Sequence, residues 1–197
     1  MTCGLWRATE SDIQRLSAGS VGDVETFLFG RPTAPRKRPP GLVGWLKSLS
    51  PITVETAEDV PLPDDFAERA DRELHFEGTW HGLHYLFTGT AWEGEEPACL
   101  LLKGGGDLGD NEIGNSVPRV LQPDRVRQFA NYLSQLSETE LTRRYNPVMM
   151  IKLDIDPGQW DEREDEELQN LLDAYRELRQ FVHDTAAAGE GLIIHVD

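Results

Sequence analysis

The feature that most constrains the fold is a long run of regularly spaced apolar residues near the C-terminus. Six of them recur at intervals of three or four positions: Leu168, Leu171, Leu172, Tyr175, Leu178 and Val182. This spacing puts them on one face of an α-helix, which we expect to begin near Asp161 and to end before Gly189. The apolar residues 191–196 follow directly and predict a final strand.

Three further apolar segments predict strands. Residues 98–103 are the clearest, because they are continuously apolar and lie between Pro97 and three glycines. Residues 3–8 predict a first strand, and residues 117–121 are a weaker candidate. These strands lie near both ends and in the middle of the chain.

Helices are predicted between these strands by capping and spacing signals. The first helix is expected after Thr9, with Asp12 completing a capping box, and the second over residues 22–30. Further helices are expected around Trp45, from Asp64 onward through Leu74, after Pro123, and from Ser137 to Tyr145. With 197 residues, 39% of them hydrophobic, the chain can form one domain with a proper core. We therefore predict an α+β single domain over residues 1–197, with a small mixed sheet, and a Pro-rich basic linker at residues 31–40.

The charge balance excludes several classes of partner. Nineteen basic residues against 35 acidic ones give a formal net charge of -16, which repels nucleic acid and anionic membranes. The basic residues Arg36 to Arg38 are the exception, but no aromatic residue lies among them for bases to stack on. With no long apolar run and no signal-peptide pattern, we expect a cytoplasmic protein, and Cys3 and Cys99 are expected to be ordinary buried thiols.

The segment "WHGLH" contains His81 and His84, three residues apart, as metal ligands on a helix would be. A catalytic zinc needs three protein ligands, and the HExxH pattern is absent. We therefore predict no metal, no other cofactor and no catalytic residue here.

Packing explains the same segment better. Four of its residues follow the spacing of a buried helix face: Trp80, Leu83, His84 and Phe87. His84 would then be a core histidine whose ring nitrogens form local hydrogen bonds. A ligand pocket that includes Trp80, His81 and Tyr85 stays open as the alternative.

The glycines after the predicted central strand match GxGxxG at Gly104, Gly106 and Gly109. A dinucleotide site needs a helix to begin there, and the next predicted helix begins only at Pro123. We expect a loop instead, in which Gly104, Gly105 and Gly106 would form the rim of any pocket near the histidines.

Eight carboxylates crowd residues 154–167. Asp154 and Asp156 imitate the start of a calcium loop, but Gln159 stands where the loop needs glycine and Asp165 where it needs glutamate. The helix dipole explains most of this charge, because it favours acidic residues in the first turn of the long helix. The same surface also suits a basic protein partner.

The chain resembles the bacterial YfbM-like family, known as domain of unknown function 1877. The resemblance rests on "CGLWRATESDIQRL", "TWHGLHYLFTGT", "VPRVLQPDRVRQFANYLSQLSETELTRRYNP" and the segment from "QWDERED" to the end. The basic residues 31–40 have no counterpart in it. It implies a small cytosolic α/β-type fold without an assigned activity, and it implies that "WHGLH" and the glycine loop lie near each other.

These observations favour a soluble, non-enzymatic module that binds a basic protein partner. Immunity proteins, which neutralise basic toxins, are an analogous case. The alternative is a small-molecule or hydrolytic site formed by Trp80, His81, His84 and Tyr85 with the glycine loop. The sequence leaves the ligand, the partner and the oligomeric state open.

Overall fold

The computed structural model describes residues 1–30, 71–109, 112–114 and 116–197. The linker at 31–40, the helix expected around Trp45 and the start of the helix expected from Asp64 lie outside these residues. The elements follow the chain as β1 (Thr2–Ala8), α1 (Glu10–Ala18), α2 (Val21–Phe29), β2 (Glu73–Glu77), α3 (Thr79–Thr88), β3 (Gly106–Asp107), β4 (Arg119–Leu121), α4 (Pro123–Gln135), α5 (Glu138–Arg144), α6 (Pro147–Lys152), α7 (Glu164–Ala187) and β5 (Gly191–Val196).

The strands form one sheet in the order β2-β1-β5-β4-β3. The α+β class is confirmed, and the described strand pairs are all antiparallel, whereas we expected a mixed sheet. β1 and β5, from the two ends of the chain, pair antiparallel in the middle of the sheet.

The central strands are buried on both faces, because successive side chains of a strand point to opposite sides. Cys3 and Leu5 of β1 pack with Ile194 in a core formed with α3, α4 and α7. Trp6 and Ile193 point the other way, into a second core formed with α1 and α2. The sheet therefore lies between two layers of helices.

Most of the predicted helix boundaries are confirmed. Thr9 and Asp12 form a complete capping box, Gly30 ends α2 in the left-handed conformation, and Pro123 is the first residue of α4. The long helix α7 begins at Glu164, three residues later than Asp161, and its apolar stripe is confirmed. No described helix is both long and apolar enough to cross a membrane.

The clearest predicted strand, residues 98–103, is wrong. The segment forms consecutive turns in which backbone amides bond locally, as in the 2.7 Å bond from Lys103 N–H to the carbonyl of Cys99. Leu100 and Leu101 are both fully buried although they are adjacent. A short apolar run indicates burial and does not distinguish a buried turn from a strand.

The helix predicted through Leu74 is also wrong over residues 73–77, which form the edge strand β2. Phe76 is buried there and pairs with Cys3 of β1. The sequence "ELHFE" does alternate between polar and apolar residues, so the strand signal was present in the sequence. The helical spacing of the residues before it favoured the other interpretation.

Candidate functional site

Helix α3, which contains "WHGLH", is buried on every side. All eight residues from Trp80 to Phe87 are buried. Gly82 permits this, because a side chain there would bring a Cβ within 2.7 Å of the Trp160 ring and 2.8 Å of a Leu171 methyl group. A helix that is apolar all round belongs to a core, so both histidines lie inside the protein.

His81 joins two separate segments through its ring. Its Nε2 lies 2.9 Å from the carbonyl oxygen of Ala91, and its Nδ1 accepts a 3.0 Å hydrogen bond from the backbone N–H of Asp156. These partners fix the neutral tautomer with the proton on Nε2. Burial lowers the pKa of His81, which keeps the ring neutral at pH 7.

His84 holds the same loop one turn further along. Its Nε2 lies 3.0 Å from the carbonyl oxygen of Glu93, while its Nδ1 has no hydrogen-bond partner among the described residues. Burial lowers the pKa of His84 to about 4. The local hydrogen bond agrees with the core role predicted for this residue.

The remaining predicted site residues lie elsewhere. Tyr85 lines a cavity of about 340 Å³ with Arg144 at the C-terminal end of α3. Gly105 and Gly106 line a different cavity of about 310 Å³ with Arg125. The structure thus places Trp80, His81 and His84 in the core, Tyr85 beside one cavity, and Gly105 and Gly106 beside another.

The glycine loop is shaped by close packing against β4. Gly105 has a φ of 76°, and a Cβ there would clash with the carbonyl oxygen of Val120. The guanidinium of Arg119 donates hydrogen bonds to the carbonyl oxygens of Gly104 and Leu101, at 2.8 and 2.9 Å. The loop leads into β3, and the next described helix is the one that begins at Pro123.

Trp92 is a surface residue that our sequence reasoning missed. Its side chain is 47% exposed, and its ring centroid lies 4.3 Å from that of His81. The signal was an aromatic residue among glutamates in "AWEGEEP". The sequence contains nothing that indicates the contact with His81.

A second feature that the sequence did not indicate is a cavity of about 400 Å³ between β2, the start of α3, and α7. Its described lining includes four carboxylates and neither lysine nor arginine. We call it the acidic cleft, and its lining residues are His75, Phe76, Glu77, Gly78, Thr79, Pro157, Trp160, Glu167, Asn170, Asp173, Ala174 and Glu177.

Nearby arginines compensate only two of these carboxylates. Arg176 forms an ion pair with Asp173, and a guanidinium nitrogen of Arg163 lies 3.9 Å from Glu167. Glu77 and Glu177 form no ion pair within the described part of the chain. The cleft therefore has a net negative charge that suits a cationic group.

The arrangement of the described side chains does not favour a metal site. Within residues 1–30, 71–109, 112–114 and 116–197, no group of three or more His, Cys, Asp or Glu side chains could hold a metal ion. His81 uses both ring nitrogens in hydrogen bonds to the backbone. Cys3 and Cys99 are buried free thiols, and burial raises the pKa of each.

The described part of the chain forms an α+β fold with an acidic cleft on one side. The sequence model of the family described as "Domain of unknown function (DUF1877)" matches residues 1–195, so the chain belongs to this family. The crystal structure of YfbM from Escherichia coli, a protein of unknown function, has the same fold, with a TM-score of 0.59 and 14% identity over 98% of each chain. The comparison with curated proteins gives no match.

Proposed function

We propose that the protein is a non-enzymatic binding module that uses the acidic cleft to hold a basic protein partner. The observation that supports this most directly is the described cleft lining, with four carboxylates and neither lysine nor arginine. The formal net charge of -16 extends the same field over the whole molecule. Such a field accelerates encounter with a cationic partner and repels anionic ones.

The packing of α3 supports a binding role over a catalytic one. Catalytic histidines need access to a substrate and a pKa near the working pH. His84 is fully buried, with its pKa lowered to about 4, and His81 is 1% exposed. A small-molecule or hydrolytic site at these histidines stays a prediction, as does the cytoplasmic location.

A hexa-arginine peptide tests the cleft directly. We expect it to bind the wild-type protein at low salt and to dissociate as salt rises, because the Debye length shrinks. Glu77→Gln combined with Glu177→Gln should weaken binding about fivefold, since each exposed charge contributes roughly 0.5 kcal/mol. Isothermal titration calorimetry at several salt concentrations would measure this.

The matched control removes the same number of charges elsewhere. Glu10 on α1 and Glu112 are exposed, and α1 packs on the opposite face of the sheet from the cleft. Glu10→Gln combined with Glu112→Gln should change the affinity less than twofold, roughly the effect of weak long-range charge. Equal losses in the two double variants would mean that the peptide senses only total charge, and the cleft assignment would fail.

A further inference from the structure

Trp92 is one of the few large hydrophobic side chains exposed in the described part of the chain. The others are Met1, Val148 and Ile151. Trp92 differs from them because its ring contacts a buried aromatic pair at a tilt. His81 stacks on Trp80 with ring centroids 5.0 Å apart, and Trp92 lies 6.3 Å from Trp80.

The backbone on both sides of Trp92 is held in place although it belongs to a loop. His81 bonds to the carbonyl oxygen of Ala91 on one side, and His84 bonds to that of Glu93 on the other. The residues before and after Trp92 are thus attached to the buried helix α3. A surface group that is already fixed loses little conformational entropy when a partner binds.

Two carboxylates lie near the His81 ring that Trp92 contacts. Asp154 and Asp156 lie close enough to His81 to act on it electrostatically, and both tend to raise its pKa against the effect of burial. Neither carboxylate forms an ion pair with a described residue. Trp92 is exposed, and Glu93 and Glu95 follow it in the chain. An exposed indole in an acidic segment suits a guanidinium, which stacks on aromatic rings and is less strongly hydrated than an ammonium.

We propose that Trp92 is the anchor on which an arginine side chain of the basic partner stacks. This inference rests on the proposed function and adds a second contact next to the acidic cleft. A buried contact connects the two regions, because the N–H of Asp156 bonds to His81, which Trp92 contacts, while the next residue, Pro157, lines the cleft. In this account His81 is a positioning residue that supports Trp92.

The test compares hexa-arginine with hexa-citrulline, its uncharged analogue. We expect hexa-arginine to shift the indole N–H resonance of Trp92 in NMR spectra of the full chain, and hexa-citrulline to leave it unchanged. Trp92→Ala should weaken hexa-arginine binding about threefold, the effect of one exposed cation–π contact. Trp92→Phe keeps a ring over His81 and should lose less.

The outcomes separate this inference from the proposed function. If the Trp92 variants bind like wild type while Glu77→Gln with Glu177→Gln binds weakly, the Trp92 inference is overturned and the cleft stands. If only the Trp92 variants bind weakly, the cleft assignment fails and Trp92 stands. An indole shift that hexa-citrulline reproduces, or no hexa-arginine binding at low salt, overturns the Trp92 inference.

Discussion

Helices α3 and α7 are neighbours in one core, but their sequences distribute polar residues in opposite ways. The 24-residue helix α7 has one apolar stripe, an acidic first turn and a polar outer face. The 10-residue helix α3 is buried all round, and its two histidines replace what would otherwise be apolar core residues. The comparison shows that the most suggestive residues of the sequence support the structure, and the binding surface that we propose lies outside helix α3.

The largest effect expected from this difference is on stability. Leu83→Ala in the fully buried helix α3 should lower the free energy of unfolding by about 3 kcal/mol, because it leaves a cavity that the packed surroundings cannot fill. Leu168→Ala, at the half-buried edge of the α7 stripe, should cost only about 1 kcal/mol. Urea denaturation would measure both, and equal losses would show that α3 is not the more tightly packed helix.

A smaller effect is expected on lowering the pH. His84 has a pKa of about 4 in the folded protein and about 6.5 in the unfolded chain, so protons bind preferentially to the unfolded state between these values. Stability is therefore complete above pH 6.5 and falls as the pH drops. Between pH 6.5 and 5 the loss should be about 2 kcal/mol, measured by denaturation at each pH.

The variants His84→Gln and His183→Gln identify the source of this loss. His84→Gln should lower stability at every pH and should reduce the decline between pH 6.5 and 5, while His81, whose pKa is also lowered by burial, accounts for the remaining decline. His183 is 69% exposed on α7, so His183→Gln should leave the decline unchanged. A decline that His84→Gln does not reduce would show that the core histidine is not its cause.

The sequence predicted the fold best where a feature depends only on residues that are close together in the chain. Thr9, Gly30 and Pro123 mark helix ends correctly, because capping depends on residues within one turn. The apolar stripe predicted for α7 is also confirmed, because its six residues share the spacing of one helix face. The strand predicted over residues 98–103 was wrong, because the conformation of a short buried segment depends on the chain that surrounds it. Here the Arg119 guanidinium bonds to the carbonyl oxygen of Leu101.

The candidate site was harder to predict, because its contacts join distant parts of the chain. The bond between His81 and Asp156 spans 75 residues. The acidic cleft is lined by both Glu77 of β2 and Glu177 of α7, positions that no spacing rule connects. The apolar spacing around His84 did favour a core role, while the exposure of Trp92 depended on three-dimensional packing alone.

We propose that a basic partner binds at the acidic cleft and beside Trp92. The most direct measurement maps the backbone amide and indole NMR shifts of the full chain as hexa-arginine is added at low salt. The account predicts that the largest shifts fall on Glu77, Thr79, Asp173 and the Trp92 indole. Largest shifts on α1 and α2, or equal shifts at acidic residues over the whole surface, would contradict it.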